Sequence, residues 1–215
     1  MANYVCKIES EKIVNGSGLF NGNSSFQKWD SDLSSLENGM AMFYYCTAMD
    51  TFSCNNLNKL VNGEQMLGHT KIQSFAYDMI NLENAAGMFY NCTNLTNFKS
   101  NLNSLTRADG MFDSCTLTDE SIHNIASGLN RFPTDRTNND LALGTRSVPI
   151  FDSTMNDIGI MKEKGWNPHC GGIYVDGISY TPWGEQTFFG CRNISEVANV
   201  VPNYKKDCIV DGVWR

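Results

Sequence analysis

Acid–base or metal chemistry in this chain has three histidines to draw on, His69, His123 and His169. His169 is followed by Cys170, and with Cys191 and Cys208 it offers an imidazole and three thiols, a donor set that suits tetrahedral zinc. No Cys-x-x-Cys pair accompanies them, and adjacent His and Cys side chains diverge on an extended strand. Packing or free thiols is therefore the favoured reading. A nucleophilic serine or cysteine needs a base, and neither a Gly-x-Ser-x-Gly elbow nor a Cys/His family signature occurs. Gly16-x-Gly18 lacks the flanking strand and helix of a phosphate loop. Asp30/Asp32 and Asp119/Glu120 read as surface and helix-capping charges. The expectation is a non-enzyme with no catalytic residue, cofactor or metal.

Composition narrows the alternatives. Sixteen Lys+Arg against 23 Asp+Glu give a formal charge of -7, and no basic run exceeds Lys205-Lys206. A phosphate-tracking nucleic-acid surface is not expected. No stretch reaches the roughly 18 apolar residues of a membrane span. Lys7, Glu9, Glu11 and Lys12 charge the start without an apolar run behind them, so no secretory signal is read. The eight cysteines are then expected to be mostly free thiols in a reducing compartment. Apolar residues at 41% and 25 asparagines describe a globular, turn-rich, weakly charged chain.

The elements that position these residues repeat. Aromatics recur at Trp29, Phe52, Phe75 and Phe98, a period of 23 residues. Each is followed by paired apolar positions: Leu33/Leu36, Leu57/Leu60, Met79/Leu82 and Leu102/Leu105. Six residues after the second come Met42-Phe43, Met66-Leu67, Met88-Phe89 and Met111-Phe112, then Cys46, Thr70, Cys92 and Cys115. The second set is spaced 24, 22 and 23, because unit two gains a residue before Leu57 and loses one between Thr70 and Phe75. Turns recur at Asn38-Gly39, Asn62-Gly63, Asn84 with Gly87, and Asp109-Gly110. One unit holds too few large apolar residues to close a core, so the units must stack and turn each apolar position into a row. A small Cys or Thr suits a buried corner of such a row.

The phrase Phe-x-x-x-Leu-x-x-Leu-x-x-x-x-x-Met-Phe-x-x-Cys-x-x-Leu-x-x-Phe, seen best from Phe75 to Phe98, resembles the BspA-type leucine-rich repeat. The match covers residues 26 to 118. The resemblance implies a leucine-rich-repeat-like, β-rich, right-handed solenoid, here of about four 23-residue coils, and the residues beyond it read as a C-terminal α+β appendage. Unit two departs from it, with Leu67 for Phe and His69-Thr70 before the next coil, which predicts a distorted turn. The Asp-Leu-Ser-Ser-Leu-x-Asn-Gly wording is also similar to repeats in structural proteins of tailed phages of gut bacteria.

Three regions follow. Residues 1–25 read as an N-terminal strand and a loop, 26–130 as the solenoid with a capping helix, and 131–215 as the appendage. Thr118-Asp119-Glu120 caps a helix whose apolar face is Ile122, Ile125 and Leu129. A strand over Leu141–Gly144, a helix over Asp152–Lys164 stopped by Gly165, and a short helix over Ser195–Val200 are expected beyond it. Asp176-Gly177 and Asp211-Gly212 signal hairpins.

Such a surface can bind. Asp30–Asp32, Ser53–Asn56, Ala76–Asp78 and Lys99–Asn101 predict a polar face beside the strand row, and Tyr44, Tyr45, Tyr90 and Asn91 predict aromatic tips suited to a protein or glycan. The alternation is read as placing Tyr77 on the face opposite Phe75 or on an intermediate one. The resulting expectation is a virion component, a fibre, tail or capsid-decoration protein. Its partners are other virion proteins or a host surface protein or glycan, within an oligomer or larger assembly. The alternative is a bacterial cell-surface adhesin or host-interaction module with the same repeat.

Overall fold

Between the asparagine and the cysteine position of each unit the backbone runs as a ribbon of overlapping turns whose amides alternate in role. Gly39, Ala41, Phe43 and Tyr45 donate to the carbonyls of Asn62, Glu64, Met66 and Gly68 in the next unit, at 2.8–3.0 Å. Met42, Tyr44 and Cys46 donate instead to carbonyls three residues back, at 3.0–3.3 Å. Two residues per unit take positive φ to make this possible: Ala41 and Tyr45, Gln65 and His69, Gly87 and Asn91, Gly110 and Ser114. The computed structural model describes residues 9–145, 152–171, 173–175, 178–180, 209–210 and 213–214, with side chains over 9–144 and 156–169.

The ladder begins one unit before the first aromatic of the repeat. Gly16, Gly18, Phe20 and Gly22 donate to Asn38, Met40, Met42 and Tyr44, so the segment read as a loop forms a full turn ribbon. Its glycines are turn residues at positive φ, Gly18 at 66° and Gly22 at 74°. Parallel bridges then link Asn15, Asn38, Asn62, Asn84 and Arg107. Each of the four asparagines accepts, through its side-chain oxygen, the amide two residues ahead at 3.0–3.1 Å. Unit two is not distorted here. Leu67 and His69 donate to Met88 and Tyr90 as their counterparts do, because the ladder uses backbone atoms and leaves the side chain free to vary.

Short strands form the second leg. β1 (Lys28–Asp30) pairs in parallel with β2 (Thr51–Ser53), placing Trp29 opposite Phe52. β3 (Ser74–Phe75) pairs in parallel with β4 (Asn97–Phe98), placing Phe75 opposite Phe98. β2 and β3 belong to separate two-stranded sheets. The phase slip of unit two falls at this join, where the Cys54 amide donates to the Tyr77 hydroxyl at 3.3 Å in place of a backbone partner. Tyr77 meets Phe52 and Phe75 edge-on, with centroids 5.7 and 5.3 Å apart. Tyr77, two residues past the end of β3, thus packs on the same ring row, which differs from the sequence reading, because its hydroxyl stands in for a backbone partner at the slip.

Two aromatic rows fill the core. Phe52, Phe75 and Phe98 stack at 5.9 Å intervals. Phe75 and Phe98 are buried, while Phe52, beside the slip, is only partly so. Phe20 stacks on Phe43 at 5.4 Å and Phe89 on Phe112 at 5.5 Å, with Leu67 holding the place between the pairs.

At the far end the two legs change differently. The strand leg becomes α1 (Asp119–Gly128), capped by the Thr118 hydroxyl on the Ser121 amide at 3.3 Å, with Ile122, Ile125 and Leu129 buried. The turn leg continues as β5 (Asp140–Thr145), bridged in parallel to the fifth ribbon through Ala108 and Leu141. β5 pairs in parallel with β6 (Asn167–Gly171), so the stack runs on past residue 130, where the sequence suggests a boundary. Gly144 fits only as glycine: at φ 82°, a Cβ there would stand 2.4 Å from the Cys115 carbonyl oxygen.

α2 (Asp152–Glu163) packs on α1, and buried Asp157 accepts from His123 Nδ1 at 3.0 Å. Lys164 Nζ donates to the carbonyls of Ala126 and Leu129 at 2.7 and 2.6 Å, a cation at the helix end where the dipole favours it. β7 (Ile173–Val175) pairs antiparallel with β8 (Ile178–Tyr180), and β9 (Ile209–Val210) with β10 (Val213–Trp214). The expected N-terminal strand before residue 9 and the helix over 195–200 lie outside the described residues.

Removing the Phe75 ring empties a site packed from both sides, so Phe75→Ala should cost about 3–5 kcal/mol in denaturant unfolding. Phe52→Ala should cost clearly less, because Phe52 already borders solvent. Hydrogen exchange should show units two and four loosened by Phe75→Ala, and a near-neutral result would contradict the row.

Candidate functional site

Each ribbon carries two adjacent outward positions just before its corner residue, Asn23, Cys46, Thr70, Cys92 or Cys115. The first column runs Asn21, Tyr44, Gly68, Tyr90, Asp113, and the second runs Gly22, Tyr45, His69, Asn91, Ser114, as the shared backbone bonds define. Tyr44-Tyr45 and Tyr90-Asn91, two adjacent pairs far apart in the chain, meet in these columns around His69. The Tyr45 and His69 rings stack with centroids 3.9 Å apart and 13° between planes. Tyr44 lies edge-on to both, at 4.7 Å from Tyr45 and 5.3 Å from His69. Tyr90 stands 5.3 Å from His69 on the other side. Gly68 is required between the tyrosines, since a Cβ would come 2.8 Å from the Tyr44 ring.

The Asn91 side-chain amide donates to His69 Nδ1 at 3.0 Å, which leaves the neutral ring's proton on Nε2. Nε2 is buried and has no hydrogen-bond partner among the described residues. Burial lowers the His69 pKa and raises that of Tyr44, whose neighbours Tyr45 and Tyr90 push it further in the same direction. Tyr45 and Tyr90 remain 45% and 40% exposed, so the cluster opens to solvent. The sequence reading of His69, as part of the departing turn of unit two, did not connect it with the tyrosines. The signal that links it to the tyrosines is its place directly before Thr70, matching Tyr45 before Cys46 and Asn91 before Cys92.

Acids and amides of the strand-side polar face are engaged within the stack. Asp32 accepts the Ser34 amide at 2.7 Å, and these Ser34 bonds hold its carboxyl below the usual range. Asn56 accepts from Asn58 at 3.2 Å, and Asp78 from the Asn101 amide one unit on at 2.9 Å. Asp30 pairs with Lys28 at 2.8 Å. A shallow depression on the third side, lined by Glu37, Lys59, Val61, Asn81, Glu83 and Ser104, brings charges of both signs together.

Cysteines of the rows serve the backbone. Cys46, Cys92 and Cys115 donate through sulfur to the carbonyls of Phe20, Leu67 and Phe89 in the preceding unit, at 3.2, 3.0 and 3.2 Å. Burial raises all three thiols, Cys92 to about 11, and raises half-buried Cys54 to about 12. In the weighed zinc set, His169 Nε2 donates to Asp140 at 2.9 Å, while Cys191 and Cys208 lie outside the described residues. Among the described residues no group of three or more His, Cys, Asp or Glu is arranged to hold a metal, and no helix is long and apolar enough to cross a membrane. Comparisons with protein-family models, with curated proteins and with solved structures find no match to this chain.

Two outcomes follow from these environments. In native protein near pH 8, peptide mapping after thiol labelling should find Cys46, Cys54, Cys92 and Cys115 slow, and all four fast once unfolded. Fast native labelling of Cys92 would contradict its place in the core. For His69, the unfolded chain takes up a proton at about pH 6.5, before the folded ring does. Stability should therefore fall as pH drops through that value and level off below the folded pKa. His69→Asn, which tolerates positive φ, should flatten this part of the profile in denaturation measured across pH.

Proposed function

We propose that the chain is a non-enzymatic structural and binding protein, a virion component of fibre, tail or capsid-decoration type, in which a repeat solenoid holds an aromatic patch for attachment. The observation that carries the binding part is the Tyr44, Tyr45, His69 and Tyr90 cluster, open to solvent yet fixed at every residue by backbone bonds between units. A patch fixed in this way loses little conformational freedom on binding, so more of its contact energy goes to affinity. No carboxylate or cation lies in the two columns from Asn21 to Asn91, which suits recognition rather than acid–base work. Buried thiols that donate to backbone carbonyls are consistent with assembly in a reducing cytoplasm. The virion setting rests on the likeness of the repeat wording to phage structural proteins. Its partners in that setting are other virion proteins and a host surface molecule.

Particles carrying the gene, purified on a density gradient and analysed by mass spectrometry, should contain this chain in fixed ratio to the capsid and tail proteins. Recovery of the chain only from the soluble, particle-free fraction would overturn the reading.

A further inference from the structure

We propose that the outer face of the Tyr45 ring, above Gly22, is a binding site for one ring of a neutral saccharide, an inference that rests on the binding role proposed above. One face of Tyr45 is covered by His69 at 3.9 Å with the planes 13° apart, so the opposite face turns toward the first unit. The residue of the first unit in that column is Gly22, whose amide donates to the Tyr44 carbonyl at 2.7 Å. Among the described residues, its chain neighbours Asn21 and Asn23 aside, nothing stands within 4 Å of where a Cβ at Gly22 would be. The column thus has a vacant layer. Every later layer holds a side chain: a tyrosine, a histidine, an asparagine and a serine. A ring with an apolar face entering it continues the stack on Tyr45, with the Tyr44 ring edge-on at one side.

The surroundings choose the ligand class. Asn15 to Gln27 contains no charged residue, and His69, its pKa lowered by burial, adds no charge near neutral pH. An anionic ligand such as a phosphate or a sialylated sugar finds no cation there. Asn21, Asn23, Ser24 and Ser25, exposed and next to Gly22 in the chain, supply amide and hydroxyl groups, with the Asn23 side-chain oxygen accepting the Ser25 amide at 3.3 Å, and such groups match the hydroxyls of a neutral sugar better than an apolar side chain. The apolar C–H face of a pyranose fits against an aromatic ring while its hydroxyls reach that border.

Saturation-transfer NMR on the full chain with lactose, maltose, mannobiose and N,N′-diacetylchitobiose tests the site, with 3′-sialyllactose and a tyrosine-containing peptide as contrasts. At least one neutral disaccharide should contact the Tyr45 ring protons. Gly22→Asn fills the vacant layer with a residue that already accepts positive φ at Asn91 in the same column, and it should weaken binding about tenfold, the scale of one lost ring contact. Tyr45→Asn should do the same, and Tyr45→Phe should keep binding. No contact by any neutral sugar, stronger binding of the sialylated sugar or the peptide, or binding unchanged in folded Gly22→Asn or Tyr45→Asn would each overturn the site. Loss of the site with the chain still present in purified particles would leave the virion reading standing, so the two fail separately.

Discussion

Alternate amides of the turn ribbons donate to the unit ahead, and much else in the molecule depends on that bond. For every second amide to face the neighbouring unit, the chain between them must reverse its curl twice, which places two residues per unit at positive φ. A non-glycine residue there costs on the order of 1–3 kcal/mol. Each ladder bond returns about 0.5–1.5 kcal/mol net, and the buried rings beneath add to it. The strain is held by the stack as a whole. Tyr45, His69 and Asn91 are all at such positions, and the amide of each is itself a ladder donor. The aromatic column is thus a direct product of the constraint that builds the fold.

A sulfur at the corner serves the same constraint. The carbonyl three residues before each corner takes the corner amide of its own unit, and the long C–S bond lets a cysteine of the next unit reach back to it as a second donor. Unit two shows what changes when sulfur is replaced by oxygen. The shorter Thr70 hydroxyl turns to Leu67 in its own unit at 2.8 Å and also meets Cys92 Sγ at 3.3 Å. The Leu67 carbonyl then accepts the Thr70 amide, the Thr70 hydroxyl and the Cys92 thiol together. Serving a buried carbonyl matters more than the chemistry of the thiol, whose ionisation is suppressed by the same burial.

The repeat was legible in the sequence because large apolar residues mark the inward positions. Trp29, Phe75 and Phe98, the leucine pairs, and the Cys46, Cys92 and Cys115 corners could all be read from spacing. The first ribbon was not, since Gly18, Gly22 and Asn23 stand where later units have Ala41, Tyr45 and Cys46, and glycines signal a loop as well as they signal positive φ. Of the candidate site, the tyrosines and Asn91 were visible as turn residues, but their convergence on His69 was not. Outward columns carry no apolar periodicity, and only the residue-by-residue register of the ladder aligns Tyr45 with His69. Tyr77 was misplaced for a different reason. Its hydroxyl fills a break in strand pairing that arises from an insertion and a deletion in unit two.

The far end shows how the two legs of a unit can part company. A strand edge at Phe98 would leave its amide and carbonyl bare, and another strand would demand a further unit behind it. α1 avoids this. The Ser121 hydroxyl accepts the Phe98 amide at 2.8 Å and donates to Thr96 at 2.9 Å, and Asn124 donates to the Phe98 carbonyl at 3.3 Å, so side chains on the helix stand in for a strand's backbone. Gly128 lets the helix end lie against the chain, since a Cβ there would come 2.4 Å from the Ser100 carbonyl oxygen, and Leu102 then takes the Gly128 carbonyl as partner at 3.0 Å. The turn leg has no such substitute, because each of its alternate amides needs a backbone carbonyl at fixed spacing. It therefore continues into β5 and β6 after the strand leg has already closed.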